Sequence, residues 1–264
     1  MSFAGIRPRR ADATSSNFAS LEVRFGEVQQ GDDVIQRREY SHSDRSKIVL
    51  PRDADARLSE MGLSVEMVRR SVTRGDDARR RVSVKFYPRN FPGVTMWAET
   101  LASLRRELLK VRQGWRIGQT GNYETVYSGQ RELAFAVVAG DKYTGINGER
   151  DPRLTRKRGP KTKERVERNA AYVQLALELD LPVLAEEIPA DEACSTWFLV
   201  VFADEDHIRL EVSLPVEVRK DGLVGEWVER ILIDPVPSSG AVAPIEPDED
   251  DDDEDGESLV SRTA

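Results

Sequence analysis

The sequence predicts an α+β fold: a mostly antiparallel mixed sheet with two packed helices and an N-terminal helical pair. Three observations lead there. Short segments alternate apolar and polar residues with period two, as in Ile208, Leu210, Val212 and Leu214 against Arg209, Glu211 and Ser213. One longer segment spaces Trp97, Leu101, Leu104, Leu108 and Val111 as a single helical stripe. Tight turns, among them Thr120-Gly121-Asn122 and Asp221-Gly222, join the strand-length pieces.

In chain order, residues 1–19 are rich in Ser, Ala and Arg without period, and are expected to form a disordered arm. One α+β domain is expected over residues 20–236. It opens with short strands at Leu21–Phe25 and Lys47–Leu50, the second ended by Pro51. A helical pair at about 52–74 follows, with Pro51–Met61 and Ser64–Arg74 joined by Gly62-Leu63. Ser64 is a suitable N-cap, and Glu66 in the first turn complements the helix dipole. The spacing of Leu58, Gly62, Leu63 and Val68 resembles a helix-turn-helix, although Leu58 stands where such motifs prefer a small residue.

Further strands are expected at 82–87, 115–119, 124–128, 132–139, 196–202, 207–218 and 227–233. The 132–139 segment is apolar at nearly every position, which predicts a central strand covered on both faces. With its two predecessors it forms a three-strand meander. The stripe from Trp97 to Val111 reads as core packing. The 96–112 helix and a 162–179 helix capped by Thr162 are expected on one face of the sheet. Residues 237–264 are expected to be a disordered acidic tail.

Composition narrows the chemistry. No segment approaches the ~20 consecutive apolar residues that span a bilayer, and no apolar leader follows Met1. Cys194 is the one cysteine, and His42 and His207 are the only histidines. That excludes an internal disulfide, a Cys-based zinc cluster and a His-rich metal site. A cytoplasmic location is the expectation, and no cofactor is expected.

The net charge of −8 conceals a segregated distribution. Ten acidic residues and no basic ones lie between Glu246 and Glu257, while Met1–Ile245 holds 37 acidic and 38 basic residues. Within that nearly neutral body, Ser64–Arg116 has thirteen basic residues against five acidic, and Arg150–Arg168 has nine against three. Arginine dominates both stretches and is the better fork for phosphate.

The functional expectation is therefore a cytoplasmic accessory protein that binds nucleic acid, DNA or RNA. Arg156, Lys157, Arg158, Lys161 and Lys163 form the main predicted phosphate contact, because a basic loop there feeds a helix N-terminus. Arg69, Arg70 and Arg74 form a second. The loop lacks the glycine spacing of a phosphate-binding P-loop and of a dinucleotide fingerprint. The acidic tail is expected to compete for these basic surfaces, or to dock a protein partner.

Two alternatives stay open. One is a protein–protein adaptor without nucleic-acid contact, which would leave an exposed apolar patch on the folded body. The other is a magnesium-dependent phosphodiester-cleaving enzyme, with Glu124, Glu132 and Asp141 as ligands beside Lys142. The second lacks the Asp…Glu-x-Lys spacing of nuclease cores, and Asp141 suits a turn-forming role equally. No catalytic residue is assigned.

Overall fold

A computed structural model describes residues 46–83, 85–148, 150–177 and 188–238. The expected strand at Leu21–Phe25, the arm at 1–19 and the acidic stretch beyond Ser238 lie outside these residues. Seven strands form one sheet in the order β1-β7-β6-β5-β4-β3-β2. They are β1 (Lys47–Val49), β2 (Trp115–Gly118), β3 (Thr125–Ser128), β4 (Leu133–Ala139), β5 (Ser195–Ala203), β6 (His207–Val218) and β7 (Val224–Pro237). The pairs β4–β5 and β1–β7 are parallel and the other four antiparallel, so the sheet is mixed.

Among the described residues four α-helices accompany it: α1 (Pro51–Glu60), α2 (Val65–Arg80), α3 (Phe91–Lys110) and α4 (Pro160–Leu177). Pro51 occupies the first turn of α1, where a missing N–H costs nothing. Ser64 caps α2, its hydroxyl accepting from the Met67 amide at 3.2 Å. α2 continues through Gly75 because the bare Cα lets α3 approach. A Cβ there would lie 2.8 Å from the Met96 carbonyl oxygen and would collide with the Thr100 hydroxyl.

The helices do not share one face. Leu101, Leu104 and Leu108 of α3 pack with Phe135 and Val137 of β4, together with residues of α1 and α2. Val166 of α4 packs with Ala136 and Val138, the alternate β4 positions, and with Phe198 and Val200. Alternate residues of a strand point to opposite faces, so α4 lies across the sheet from α3. This corrects the one-face arrangement. The reason is topological: β4 and β5 are parallel neighbours, and α4 is the crossover between them.

The 82–87 strand is also corrected. Residues 81–83 and 85–90 are turns and bends linking α2 to α3. A period-two pattern makes a strand only beside a sheet edge that offers partners, and this segment bridges two packed helices. Phe86 is consequently 79% exposed. β7 in turn runs longer than predicted and passes through Pro235. β1 pairs with it at Glu229–Ile231, so among the described residues no outer strand needs the N–H that Pro235 lacks.

β4 is flanked by β3 and β5, as its apolar run predicted, but unevenly. Its ladder to β5 covers Leu133–Ala139, whereas its ladder to β3 ends at the Val126–Phe135 pair. Among the described residues no strand therefore pairs with one edge of Ala136–Ala139. That notch positions the site.

Candidate nucleic-acid interface

The notch is a cleft of about 590 Å³. Its floor is Ala136–Ala139. One wall is the first half of α3, with Gly93, Val94 and Trp97, and the other is the basic loop with Thr155, Arg156 and Arg158. Asn122, Tyr123 and Glu124 close the end where the chain turns into β3. A second cavity of about 470 Å³ adjoins Arg158 from the other side. It is lined by Gly159, Pro160 and Lys163 at the start of α4, and by Arg219, Lys220 and Gly222 at the β6–β7 hairpin.

Arg158 thus stands in the wall between two cavities. Its backbone amide donates to the Gly222 carbonyl at 2.8 Å, tying the basic loop to the hairpin. Its buried Nε has no hydrogen-bond partner among the described residues, and neither has Nε of Arg219. Burial, with the like charge of Arg156 adding to it, pulls the Arg158 guanidinium down from the usual arginine value. Among the described residues no carboxylate is ion-paired to Arg156, Arg158, Arg219 or Lys220. Arg158 and Arg219 are half-buried whereas Arg156 and Lys220 are exposed, and half-buried cations without a counter-charge favour an anionic ligand.

The rest of the basic run is otherwise engaged. Lys161 pairs with Glu164 at 2.8 Å and Glu192 at 3.6 Å, and its stem lies against Gly121. Lys163 lines the second cavity and also meets Glu167 at 3.5 Å. Lys157 is exposed beside Gly222 but lines neither cavity. Arg165 is buried, donating to Asp191 Oδ2 at 3.1 Å and lying 4.8 Å over the Tyr123 ring. Asp191 also accepts from the Thr120 hydroxyl at 2.7 Å. Burial raises the Asp191 carboxyl, but the Thr120 hydroxyl and amide, with Arg165, outweigh it and hold the group below the usual range.

α4 begins at Pro160, with the Lys163 amide bonded to the Gly159 carbonyl at 3.2 Å. Thr162 is therefore inside the first turn rather than its cap. Proline's fixed φ suits the first helical position, which shifts the start two residues upstream.

The second predicted contact is weaker. Arg70 is matched by Glu66 at 3.2 Å and Glu107 at 3.1 Å. Arg74 is exposed and Arg69 half-buried on α2, away from both cavity linings. The three carboxylates considered as metal ligands are not gathered. Glu132 and Asp141 lie just beyond opposite ends of β4, and Glu124 is held by Arg105 at 2.7 Å. Asp141 Oδ1 accepts from the Tyr143 amide at 3.1 Å, the turn-forming role. Among the described residues no cluster of three metal-ligating side chains occurs.

Sequence reasoning missed Arg219 and Lys220, which are remote from Arg158 in the chain and meet it only through the hairpin. It also assigned Trp97 to the core, whereas that side chain is 40% exposed in the cleft wall. The available signal was its place at the N-terminal end of the stripe, where a helix can outrun the sheet beneath it. No helix among the described residues is long and apolar enough to cross a membrane. No family description, no curated protein and no solved structure matches the chain.

Proposed function

We propose that the protein binds nucleic acid as a cytoplasmic accessory factor rather than as a catalyst. The observation that carries this reading is Arg158, standing between two cavities whose cations Arg156, Arg219 and Lys220 have no ion-pair partner among the described residues. Two cationic hollows that share Arg158 suit successive backbone phosphates. Lys163 supplements them, and Arg69 and Arg74 on α2 would form a separate contact away from these cavities. The acidic stretch Glu246–Glu257 competes with nucleic acid for these cations and lowers non-specific binding.

The test is binding of a labelled single strand, its duplex and the RNA equivalent across a salt series. The intact chain is compared with a truncation after Ser238, a boundary that keeps the Ser238–Asp76 hydrogen bond. The expected result is affinity that falls steeply with salt and rises without the tail. R156A/R158A is expected to flatten the salt slope. Absence of binding by both forms at low salt overturns the reading.

One observation favours the adaptor alternative. Phe86, Tyr87, Phe91 and Trp97 are exposed aromatic side chains between the α2–α3 connection and the first half of α3, and Tyr87 and Phe91 stack at 4.5 Å. Exposed apolar patches often mark protein interfaces.

A further inference from the structure

We propose that Trp97 is a base-stacking platform, so that the ligand of the cleft is single-stranded nucleic acid rather than a duplex. The proposal rests on the nucleic-acid reading above and specifies its ligand. Three features of the cleft meet at one place. Trp97 is the one tryptophan that is more than slightly exposed, since Trp115, Trp197 and Trp227 are each 5% exposed or less. It lines the same cavity as Arg156 and Arg158, which supply positive charge on the opposite wall. The only carboxylate in that lining, Glu124, is held by Arg105 and does not oppose an incoming anion.

The shape favours an unpaired strand. A cleft of about 590 Å³ falls in the range of small-ligand sites, roughly 300–1,000 Å³. It admits a nucleotide whose base lies on Trp97 while its phosphate faces the arginines, but not the width of a double helix. Outside the cleft, Tyr87 and Phe91 form a stacked pair of exposed rings. Stacking faces beside a cationic track are the general means of holding single strands without sequence preference. An apolar protein partner would gain from the aromatics but would leave Arg156 and Arg158 unmatched. An acidic one would gain from the arginines but not from a stack of flat rings. Unpaired nucleic acid uses both.

The experiment titrates the full-length protein with a 20-nucleotide single strand and with its duplex, reading intrinsic tryptophan emission and labelled-oligonucleotide anisotropy. Because the other tryptophans are buried, quenching reports Trp97. The single strand is expected to quench emission and to bind about tenfold or more tightly than the duplex. W97A is expected to lose about tenfold in single-strand affinity with the salt slope unchanged, and W97F to restore most of it. R156A/R158A should instead reduce the slope. A circular-dichroism melt keeps the result interpretable, and if W97A fails to fold, W97F carries the comparison through its loss of quenching with binding retained. Equal binding of both forms with no effect of W97A overturns the stacking proposal and leaves the nucleic-acid reading standing. No binding of any form at low salt overturns both. A W97A-sensitive shift in oligomeric state without nucleic-acid binding assigns Trp97 to a protein interface instead.

Discussion

Arg230 of β7 grips Glu211 of β6 with two parallel hydrogen bonds, Nε to Oε1 at 3.1 Å and Nη2 to Oε2 at 2.7 Å, and both side chains are fully buried. The pair reaches beyond the hairpin. Glu211 also accepts from the Ser213 hydroxyl and the Gly145 amide, each at 2.8 Å. Arg230 donates to Asp151 at 2.8 Å and to the Ile146 carbonyl at 3.2 Å. The chain segment that leads into the basic loop is thus clamped to the sheet, which fixes where Arg156 and Arg158 emerge. Burial lowers the guanidinium pKa, but the two carboxylates outweigh it and hold it above the ordinary value.

Removing one partner of that pair leaves an uncompensated buried charge. E211Q or R230M is expected to destabilise by about 3–5 kcal/mol, read by urea denaturation. The double variant E211L/R230M, which removes both charges, is expected to be more stable than either single one. Equal losses in all three would show that the contribution is not electrostatic.

Gly75 offers a contest between two effects. An alanine in a helix interior gains about 1 kcal/mol over glycine. Here the added Cβ meets a backbone oxygen of α3 at 2.8 Å, and relieving that contact means moving the helices apart. Overpacking of this kind costs about 1–3 kcal/mol. G75A is therefore expected to lower Tm, and a raised Tm would show that α2 and α3 separate easily.

Asp191 and Asp76 give the pH dependence. Both carboxyls are held below their ordinary value of 3.8, Asp191 as described and Asp76 by Ser238, Arg79 and Arg80 against the opposing effect of burial. A lowered folded pKa means stability that is fully present above the unfolded value and lost as pH falls through the folded one. Acid unfolding is expected to set in below about pH 3.8. D191N is expected to cost of order 1–3 kcal/mol at pH 7 and to flatten the acid limb of a Tm–pH curve. An unchanged limb would remove Asp191 from this account.

Cys194 is buried, and that burial pushes its thiol up to about 11. Little thiolate exists at neutral pH. A thiol reagent at pH 7.5 is expected to modify the native protein only at the rate of unfolding and to react at once in denaturant. Rapid native modification would place the thiol at the surface.

Arg158 is expected to separate binding from stability. Its partly buried charge has no carboxylate partner among the described residues, so R158M relieves a desolvation cost while keeping the packing of the stem. Tm is expected at or above that of the parent, with nucleic-acid affinity reduced. A lower Tm would mean that the guanidinium serves the fold.

Much of the sheet was legible in the sequence, because strands declare themselves through local pattern. The apolar run at 133–139 and the alternation at 207–218 became β4 and β6 with nearly the expected bounds. Local pattern misled at Val82 and Phe86, since alternation says nothing of whether a partner strand is near. It was silent on Glu211 and Ser213, which occupy the polar phase of β6. They are buried because the chain beyond β4 folds over that face and supplies the Gly145 amide.

The same division runs through the site. The sequence alone located the cation-rich loop at 156–163, the scarcity of cysteine and histidine, and the segregation of charge, because composition and local spacing carry those. Only the tertiary structure decided which cations are available. Lys161, Arg165 and Arg70 found carboxylates, whereas Arg158 met Arg219 and Lys220 across a hairpin some sixty residues away. Charge is fixed residue by residue, but neutralisation is a relation between residues brought together by folding. The cleft has the same origin, since it exists where β3 ends before β4 does, and strand pairing is not written into either strand by itself.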